Sequence, residues 1–276
     1  MTSKRKLILG TIALVLLYSL YRVFAVYTVR DGECCPAPAG ERVGFPPPRR
    51  PLAVMTYNIA GHDELHDGDH VRRIAEAIQR LRPDIVALQE VHRNTWQSRF
   101  HDQFAELKAR TGLHGSFAPS YVLWGGGYGN AILTRGQIVR ARVHPLPCAG
   151  EPRALLEATV RIDGATINFY ATHLSSWGRL SSNIRAKQLR CLARVVRASR
   201  YPYILAGDLN TGPDSPEMEA FRRGGAAQLA SRGIGPTSWN QQLDYIFAGP
   251  GWRVRASRAW PIEISDHLPV TAELMW

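Results

Sequence analysis

Six segments of the chain share one pattern, in which a short apolar, β-branched or aromatic run begins or ends at carboxylate, amide or imidazole groups. The six segments are Val54–Asn58, Ile85–Glu90, Ile167–His173, Gly207–Asn210, Leu243–Phe247 and Ser265–Val270. Runs of this composition predict buried strands. Polar groups at the ends of buried strands lie at the rim of a sheet, so the pattern predicts one polar site built from several strand ends.

The side chains at these strand ends are all hard oxygen donors, amides or imidazoles. They are Asn58, Glu90, His173, Asp208, Asn210, Asp244, Asp266 and His267. Oxygen-rich ligands suit Mg²⁺, Mn²⁺ or Ca²⁺, and the absence of cysteine from the set argues against a structural zinc site. A hard divalent cation beside acid/base imidazoles suits hydrolysis of a phosphate ester. The chemistry of the set therefore predicts a metal-dependent phosphoesterase.

Seven short motifs, taken together and in order, resemble those of the endonuclease/exonuclease/phosphatase superfamily, the DNase I-like group. The motifs are Thr56-Tyr57-Asn58, Leu88-Gln89-Glu90-Val91, Tyr128–Leu133, Thr172-His173-Leu174, Gly207–Asn210, Leu243–Ile246 and Ser265–Val270. Each is weak alone, but seven in the order of the superfamily, from about Leu52 onward, are strong evidence. The resemblance implies an α/β fold in which two facing sheets lie between helices in a four-layer sandwich, with the catalytic cleft at the strand ends.

The resemblance also implies the metal ligands, with Mg²⁺ or Mn²⁺ as the cofactor. Glu90 is the principal ligand, Asn58 positions metal, phosphate or water beside it, and Asp266 binds metal or stabilises His267. From the residues alone, Glu90 is equally an exposed acid at a strand end, and asparagine is common in turns.

The catalytic roles follow from the same resemblance. Asp208 and Asn210 orient the attacking water and a phosphoryl oxygen, although Asp208–Pro213 also has the composition of a simple turn. His267 contacts the phosphate, and Asp244 holds its ring as an orienting carboxylate. His173 is a candidate general acid for the leaving oxygen, and the division of labour among His173, His267 and Asp208 stays open.

One further candidate follows a glycine run. Asn130 lies directly after Gly125–Gly129 and is a weaker candidate for contact with the phosphate. The run has no Lys-Ser/Thr signature of a nucleotide P-loop, so it is interpreted as a flexible turn.

Charge is unevenly distributed along the 276 residues. The formal net charge is +11, but residues 1–50 hold 8 Lys and Arg and 3 Asp and Glu, which leaves +6 for the remainder. This mild excess favours anionic substrates, yet it falls short of the basic face of a dedicated nucleic-acid binder.

The amino-terminal residues divide into an anchor and a tether. Lys4-Arg5-Lys6 precedes an apolar run, so residues 1–30 are interpreted as an uncleaved signal anchor and a cleaved signal peptide as the alternative. Residues 31–51 are a proline-rich tether, and residues 52–276 form the catalytic domain. This orientation predicts an extracytoplasmic domain, where Cys34, Cys35, Cys148 and Cys191 are free to form disulfides whose pairing stays open.

Secondary structure can be assigned at several places. Helices are predicted after Asp69, which is positioned to cap the first turn, and over Ser98–Arg110. Asp163-Gly164 predicts a hairpin turn between two strands. Because hairpins outnumber βαβ units, the sheets are expected to be mixed or antiparallel with helices on their outer faces.

The substrate is narrowed only to a phosphodiester. The anchor favours a lipid headgroup or another phosphodiester close to the membrane. The alternative is a nuclease of the DNase I kind, which the two histidines and the mild basicity favour. A tethered, non-catalytic binding module is a third hypothesis, and no obligate protein partner is evident from the sequence.

Overall fold

The computed structural model describes residues 46–62, 68–123, 125–148, 150–176 and 178–276. The proposed signal anchor and most of the tether lie outside these residues. Within the described part, none of the helices combines the length and the apolar character that a membrane crossing requires.

Twelve strands and four α-helices make up the described chain. In order they are β1 (Leu52–Asn58), α1 (His70–Leu81), β2 (Ile85–Arg93), α2 (Gln103–Thr111), β3 (His114–Leu123), β4 (Gly126–Thr134), β5 (Gln137–Leu146), β6 (Arg153–Ile162), β7 (Ala165–His173), α3 (Gly178–Arg197), β8 (Tyr203–Asp208), α4 (Pro216–Arg223), β9 (Gln228–Leu229), β10 (Asp244–Ala248), β11 (Arg253–Ala259) and β12 (Val270–Met275).

The strands form two six-stranded mixed sheets. Sheet A has the order β11-β12-β1-β2-β4-β3, and sheet B has the order β5-β6-β7-β8-β10-β9. Each sheet contains one parallel pair, β1 with β2 and β7 with β8, and the other pairs are antiparallel. The predicted hairpin is confirmed, because Asp163 and Gly164 both have positive φ, 48° and 83°, as a tight two-residue β-turn requires.

Three apolar layers hold the sheets and helices together. One core, which includes Val54 and Phe169, lies between the two sheets. A second includes Met55 with Ile74 and joins sheet A to α1 and α2, and a third includes Leu192 and joins sheet B to α3 and α4. The predicted four-layer sandwich is confirmed.

The first helix is stabilised differently from the expectation. Asp69 is the N-cap residue of α1, but its side chain makes no capping hydrogen bond. Its carboxylate instead pairs with Arg72, with an Oδ2–Nη2 distance of 2.8 Å. The buried stripe Val71, Ile74 and Ile78 therefore anchors the helix through packing against sheet A.

The second helix begins later than predicted. A single 3₁₀ turn covers Trp96–Ser98, and α2 starts only at Gln103. The reason is local, since the Asp102 side chain accepts a hydrogen bond from the Ala105 amide at 2.9 Å and fixes the N-cap there.

The expectation of a flexible glycine turn was wrong. Gly126–Gly129 are buried residues of β4, paired with β2 on one side and β3 on the other. A Cβ on Gly129 would lie 2.0 Å from the Ala118 carbonyl oxygen, so a side chain does not fit there. The glycines allow close approach of backbones rather than flexibility.

Candidate active site

The predicted site residues converge at one rim of the sandwich. The carboxyl ends of the parallel strands β1 and β2 in sheet A face those of β7 and β8 in sheet B. Asp244 begins β10 directly opposite Asp208 in the ladder between β8 and β10. His267 comes from the segment that leads into β12.

A bulge in β2 aims Glu90 into this rim. The register with β4 shifts between Leu88 and Val91, and Glu90 has a φ of 59°, in the left-handed region. A bulge re-aims the side chain that it carries. The Glu90 carboxylate accepts a hydrogen bond from Asn58 Nδ2 at 2.9 Å and keeps 23 % of its side chain exposed.

Asn58 also reaches across to sheet B. Its Nδ2 donates to Asp208 Oδ2 at 3.2 Å, and its Oδ1 accepts from the Ala60 amide at 3.1 Å. Because both halves of the amide are engaged, the side chain is fixed between two carboxylates.

Asp208 and Asn210 form a tight turn after β8. The backbone N–H of Asn210 donates to Asp208 Oδ1 at 2.8 Å, and the side-chain Nδ2 of Asn210 donates to the Leu174 carbonyl at 3.0 Å. Asn210 has a φ of 50°, which asparagine tolerates better than most residues. The turn interpretation and the site interpretation therefore hold together at these two residues.

His267 is held by a buried carboxylate. Its Nδ1 lies 2.8 Å from Asp244 Oδ2, which also accepts the Thr237 hydroxyl at 2.6 Å. Its Nε2 points toward Asp208, 3.7 Å from Oδ2. Burial lowers the pKa of His267, but the carboxylates of Asp244 and Asp208 outweigh that effect and raise it to about 10.

Two buried carboxylates make the rim strongly electronegative. Asp208 and Asp244 are each at most 1 % exposed. Burial, reinforced by the charge of Asp244, raises the pKa of Asp208 to about 7. The arrangement resists a second negative charge and favours a cation close by.

His173 completes the rim from the end of β7. Its Nε2 lies 3.4 Å from Asp208 Oδ2 and 4.0 Å from Glu90 Oε1. Burial, with the positive charges of Arg153 and His267, holds its pKa well below the ordinary value. His173 is therefore a neutral imidazole at neutral pH.

The donors fit a hard divalent cation. One carboxylate oxygen or ring nitrogen each of Asp208, Asp244 and His267 lies within 4.8 Å of the others, and the two carboxylates are the anionic members of this group. Asp244 Oδ1 is buried without a hydrogen-bond partner, which leaves a carboxylate oxygen unsatisfied. The Glu90 carboxylate and the Asn58 amide lie next to the same group. Oxygen donors of this kind suit Mg²⁺ or Mn²⁺.

Two predicted residues are placed differently from the rest. Asp266 is exposed, and its Oδ1 accepts from Ser265 Oγ at 3.3 Å. Asn130 is buried in β4, where Nδ2 donates to the Ala154 carbonyl at 2.9 Å and Oδ1 has no partner. The roles of Asp266 in metal binding and of Asn130 in phosphate contact stay predictions.

Arg153 is the residue whose place in the site the sequence did not reveal. It is only 3 % exposed at the start of β6. Its Nε and Nη1 have no hydrogen-bond partner, and its Nη2 lies 3.4 Å from Glu151 Oε1. The available signal was an arginine directly before the apolar run Ala154-Leu155-Leu156, where a surface charge is out of place.

Comparison with known proteins agrees with this geometry. The family model described as the Endonuclease/Exonuclease/phosphatase family matches residues 55–267. That match extends from β1 to His267 and so contains every proposed site residue. None of the curated proteins matches the chain.

Solved structures share the fold. The endonuclease/exonuclease/phosphatase from Beutenbergia cavernae is 29 % identical, with 82 % of this chain and 72 % of that chain covered and a TM-score of 0.67. TDP2 of D. rerio, complexed with single-strand DNA product, is 21 % identical, with 82 % and 99 % covered and a TM-score of 0.69. The mannosyl-6-phosphatase Bt3783 of Bacteroides thetaiotaomicron is 19 % identical, with 82 % and 100 % covered and a TM-score of 0.67.

Proposed function

Because the chain belongs to the endonuclease/exonuclease/phosphatase family, we propose that it is a Mg²⁺- or Mn²⁺-dependent phosphodiesterase that acts close to a membrane, on a lipid headgroup or similar phosphodiester. Members of this family hydrolyse phosphoester bonds. One observation carries the proposal, which is that polar groups from both sheets meet at two carboxylates. Asn58, His173 and His267 each place a nitrogen within 4.0 Å of Asp208 Oδ2. Asn58 and His173 also lie within 4.0 Å of Glu90 Oε1.

The residues divide into a metal-binding side and a phosphate-binding side. Glu90 and Asn58 would hold the cation, with Asp266 as a further ligand. A divalent cation at this place offsets charge on the phosphoryl oxygens. The remaining groups bind, orient and move protons.

Asp208 is proposed to orient the attacking water and take its proton. Its raised pKa suits a base that works near neutral pH. The hydrogen bond from the backbone N–H of Asn210 fixes the Oδ1 side of the Asp208 carboxylate. Oδ2 faces His173 and His267, so a water held there lies between the two imidazoles.

His267 is proposed to donate to a non-bridging phosphoryl oxygen. Asp244 accepts from Nδ1, which presents Nε2 as the donor and stabilises the imidazolium. His173, as a neutral imidazole, stabilises the leaving oxygen by a hydrogen bond from its ring nitrogen, and the proton that this oxygen finally takes comes from solvent. Arg153 supplies an additional positive charge beside these groups.

The membrane-proximal substrate rests on the sequence of residues 1–51 and on charge. A basic cluster followed by an apolar run supports an anchor, and a proline-rich tether of this length keeps the domain near the bilayer. The modest +6 of residues 51–276 favours a small anionic group over a long polyanion.

Turnover by the full chain tests this function. Plasmid DNA, RNA, sphingomyelin, phosphatidylinositol and a chromogenic phosphodiester are offered with Mg²⁺, with Mn²⁺ or with a chelator. Asp208→Asn and His267→Gln should abolish turnover, whereas the exposed residues Asp214 and His114 provide the matched controls Asp214→Asn and His114→Gln.

Each outcome has a distinct meaning. Chelator-sensitive cleavage of a lipid, lost in the site variants alone, is the expected result. Cleavage of DNA or RNA at a rate equal to that of the lipid would replace the lipid with a nucleic-acid substrate. Absence of metal-dependent turnover on every substrate would favour a binding module.

Location is tested separately from turnover. A reporter enzyme that works only outside the cytoplasm should be active when it is fused after residue 276. Protease added to intact spheroplasts should cleave the domain. Activity of a second reporter that works only in the cytoplasm, fused at the same place, would refute the proposed orientation.

A further inference from the structure

A cavity of about 360 Å³ opens on the outer face of sheet B, away from the catalytic rim. Its walls come from β5, β6 and β7 and from the end of α3 with the residues that follow it. Asn168 near the start of β7 lines the cavity, whereas His173 at the end of the same strand belongs to the catalytic rim. Five residues of extended strand separate the two by about 17 Å.

The floor of the cavity is a buried polar network. Thr159 Oγ1 donates to Asn168 Oδ1 at 2.7 Å, and Asn168 Nδ2 donates to Ser199 Oγ at 3.0 Å. All three residues are at most 6 % exposed. They lie beside the apolar core that joins Tyr170 to α3, where packing alone would favour aliphatic side chains. The network therefore gives the cavity a fixed floor of hydroxyl and amide groups.

The rim of the cavity carries three arginines. Arg140 and Arg142 are two residues apart on β5 and therefore point to the same face, and Arg200 approaches from the residues after α3. Within the described ranges, none of these three guanidinium groups forms a salt bridge.

Glu157 is the carboxylate among the described residues that line the cavity, and its charge offsets that of one of the three arginines. Glu157 Oε2 lies 2.7 Å from His144 Nε2, and Glu157 Oε1 accepts from Asn168 Nδ2 at 3.2 Å. Both oxygens are thus engaged within the network. The cavity as a whole keeps an excess of positive charge around a floor of hydroxyl and amide groups.

We propose that this cavity is a second ligand site that binds a phosphate group. Guanidinium groups bind phosphate oxygens in a bidentate manner, and three of them around one concavity suit a dianion. The volume is at the small end of ligand sites, which fits a phosphomonoester rather than a large cofactor. The inference is independent of the proposed catalytic function, because it uses none of the residues at the catalytic rim.

Calorimetric titration of the full chain tests the site. The metal-free protein is titrated at constant ionic strength with inorganic phosphate, with short-chain phosphatidic acid below its micelle concentration, and with acetate. The cavity variant is Arg142→Gln with Arg200→Gln. The matched control, Arg190→Gln with Arg253→Gln, removes the same charge from two exposed positions outside the cavity.

We expect saturable binding of a phosphate ligand. The affinity should fall roughly tenfold or more in the cavity variant and stay unchanged in the control. Equal binding of phosphate and phosphatidic acid identifies a site for free phosphate, and binding of phosphatidic acid alone identifies a lipid headgroup. Thermal melting confirms that both variants are folded.

Three results would overturn the assignment. They are no saturable binding of either phosphate ligand, equal loss in the cavity and control variants, and a response to acetate as strong as that to phosphate. Because turnover is not the readout, a failure of the catalytic proposal leaves this test intact.

Discussion

The Asn58 amide joins the two sheets of the sandwich at the catalytic rim, because its Nδ2 donates across to Asp208 Oδ2 at 3.2 Å. Asn58 ends β1 of sheet A, and Asp208 ends β8 of sheet B. The same amide group donates to Glu90 at 2.9 Å. One buried side chain thus sets the spacing of two carboxylates that come from different sheets.

Replacement of Asn58 with Ala should weaken metal binding and catalysis. Loss of the amide leaves Glu90 and Asp208 without their shared donor, so we expect metal affinity and turnover to fall by about 10- to 100-fold. Calorimetry with Mn²⁺ and turnover of a chromogenic phosphodiester measure the two effects. Asn183→Ala, at an exposed position on α3, is the control and should change neither. Unaltered metal affinity in Asn58→Ala would remove Asn58 from the metal site.

Asp244 and His267 should behave as one unit in a double-mutant cycle. Asp244 acts through the ring it holds at 2.8 Å, so Asp244→Asn should lower kcat by about 10²- to 10⁴-fold. Once the ring is absent in His267→Ala, adding Asp244→Asn should cost little more. The kcat values of the four proteins give the coupling. Additive losses would show that Asp244 contributes independently of His267.

Replacement of Arg153 with Lys tests whether the guanidinium group, rather than its charge alone, serves the substrate. Its Nε and Nη1 are buried without partners, and a bound phosphate would satisfy them. Lysine keeps the charge but has no planar fork, so kcat/KM should fall by about tenfold or more while the melting temperature changes little. Arg190→Lys on the exposed face of α3 is the matched control. A large loss of stability with unchanged kcat/KM would make Arg153 a structural residue.

The strands that end at the site were readable from the sequence, because each has its own apolar run and the family motifs follow in order along the chain. The four-layer sandwich and the convergence of Glu90, Asp208 and His267 on one rim were implied by the resemblance to the family. Local composition says less about where a polar residue is buried. Arg153 and Asn130 depend on packing between sheets that only the folded chain defines.

The glycine run shows the same limit. Several consecutive glycines favour a turn by local conformational freedom alone. In the fold, Gly129 instead faces the Ala118 carbonyl of the neighbouring strand, and the two strands could not approach with a side chain there. Pairing with the neighbouring strand β3 therefore decided the conformation. The start of α2, in contrast, could have been predicted from local sequence. The capping residue Asp102 directly precedes Gln103, but the predicted helix began at Ser98.

Glu217 should contribute stability that depends on pH. It is buried at the start of α4, where Oε1 accepts from Thr211 Oγ1 at 3.0 Å and from Arg185 Nε at 3.2 Å, and Oε2 accepts from Ser182 Oγ at 3.0 Å. Burial opposes ionisation, but these hydrogen bonds and the Arg185 charge outweigh it and lower the pKa of Glu217 below 4.5. Glu217→Gln should therefore reduce the free energy of unfolding by about 2 kcal/mol at neutral pH.

The sign of the pH effect follows from the lowered pKa. The unfolded chain takes up the proton at higher pH than the folded one, so the stabilisation is complete above the unfolded pKa and is lost as pH falls through the folded pKa. Urea denaturation of the full chain at about pH 7 and at several pH values below about 4.5 measures the difference between wild type and Glu217→Gln. That difference should shrink as the pH falls. The exposed neighbour variant Glu219→Gln should show a small difference at every pH. If wild type and Glu217→Gln differ in free energy of unfolding by the same amount at all pH values, the ionised carboxylate is not the group that stabilises the contact between α3 and α4.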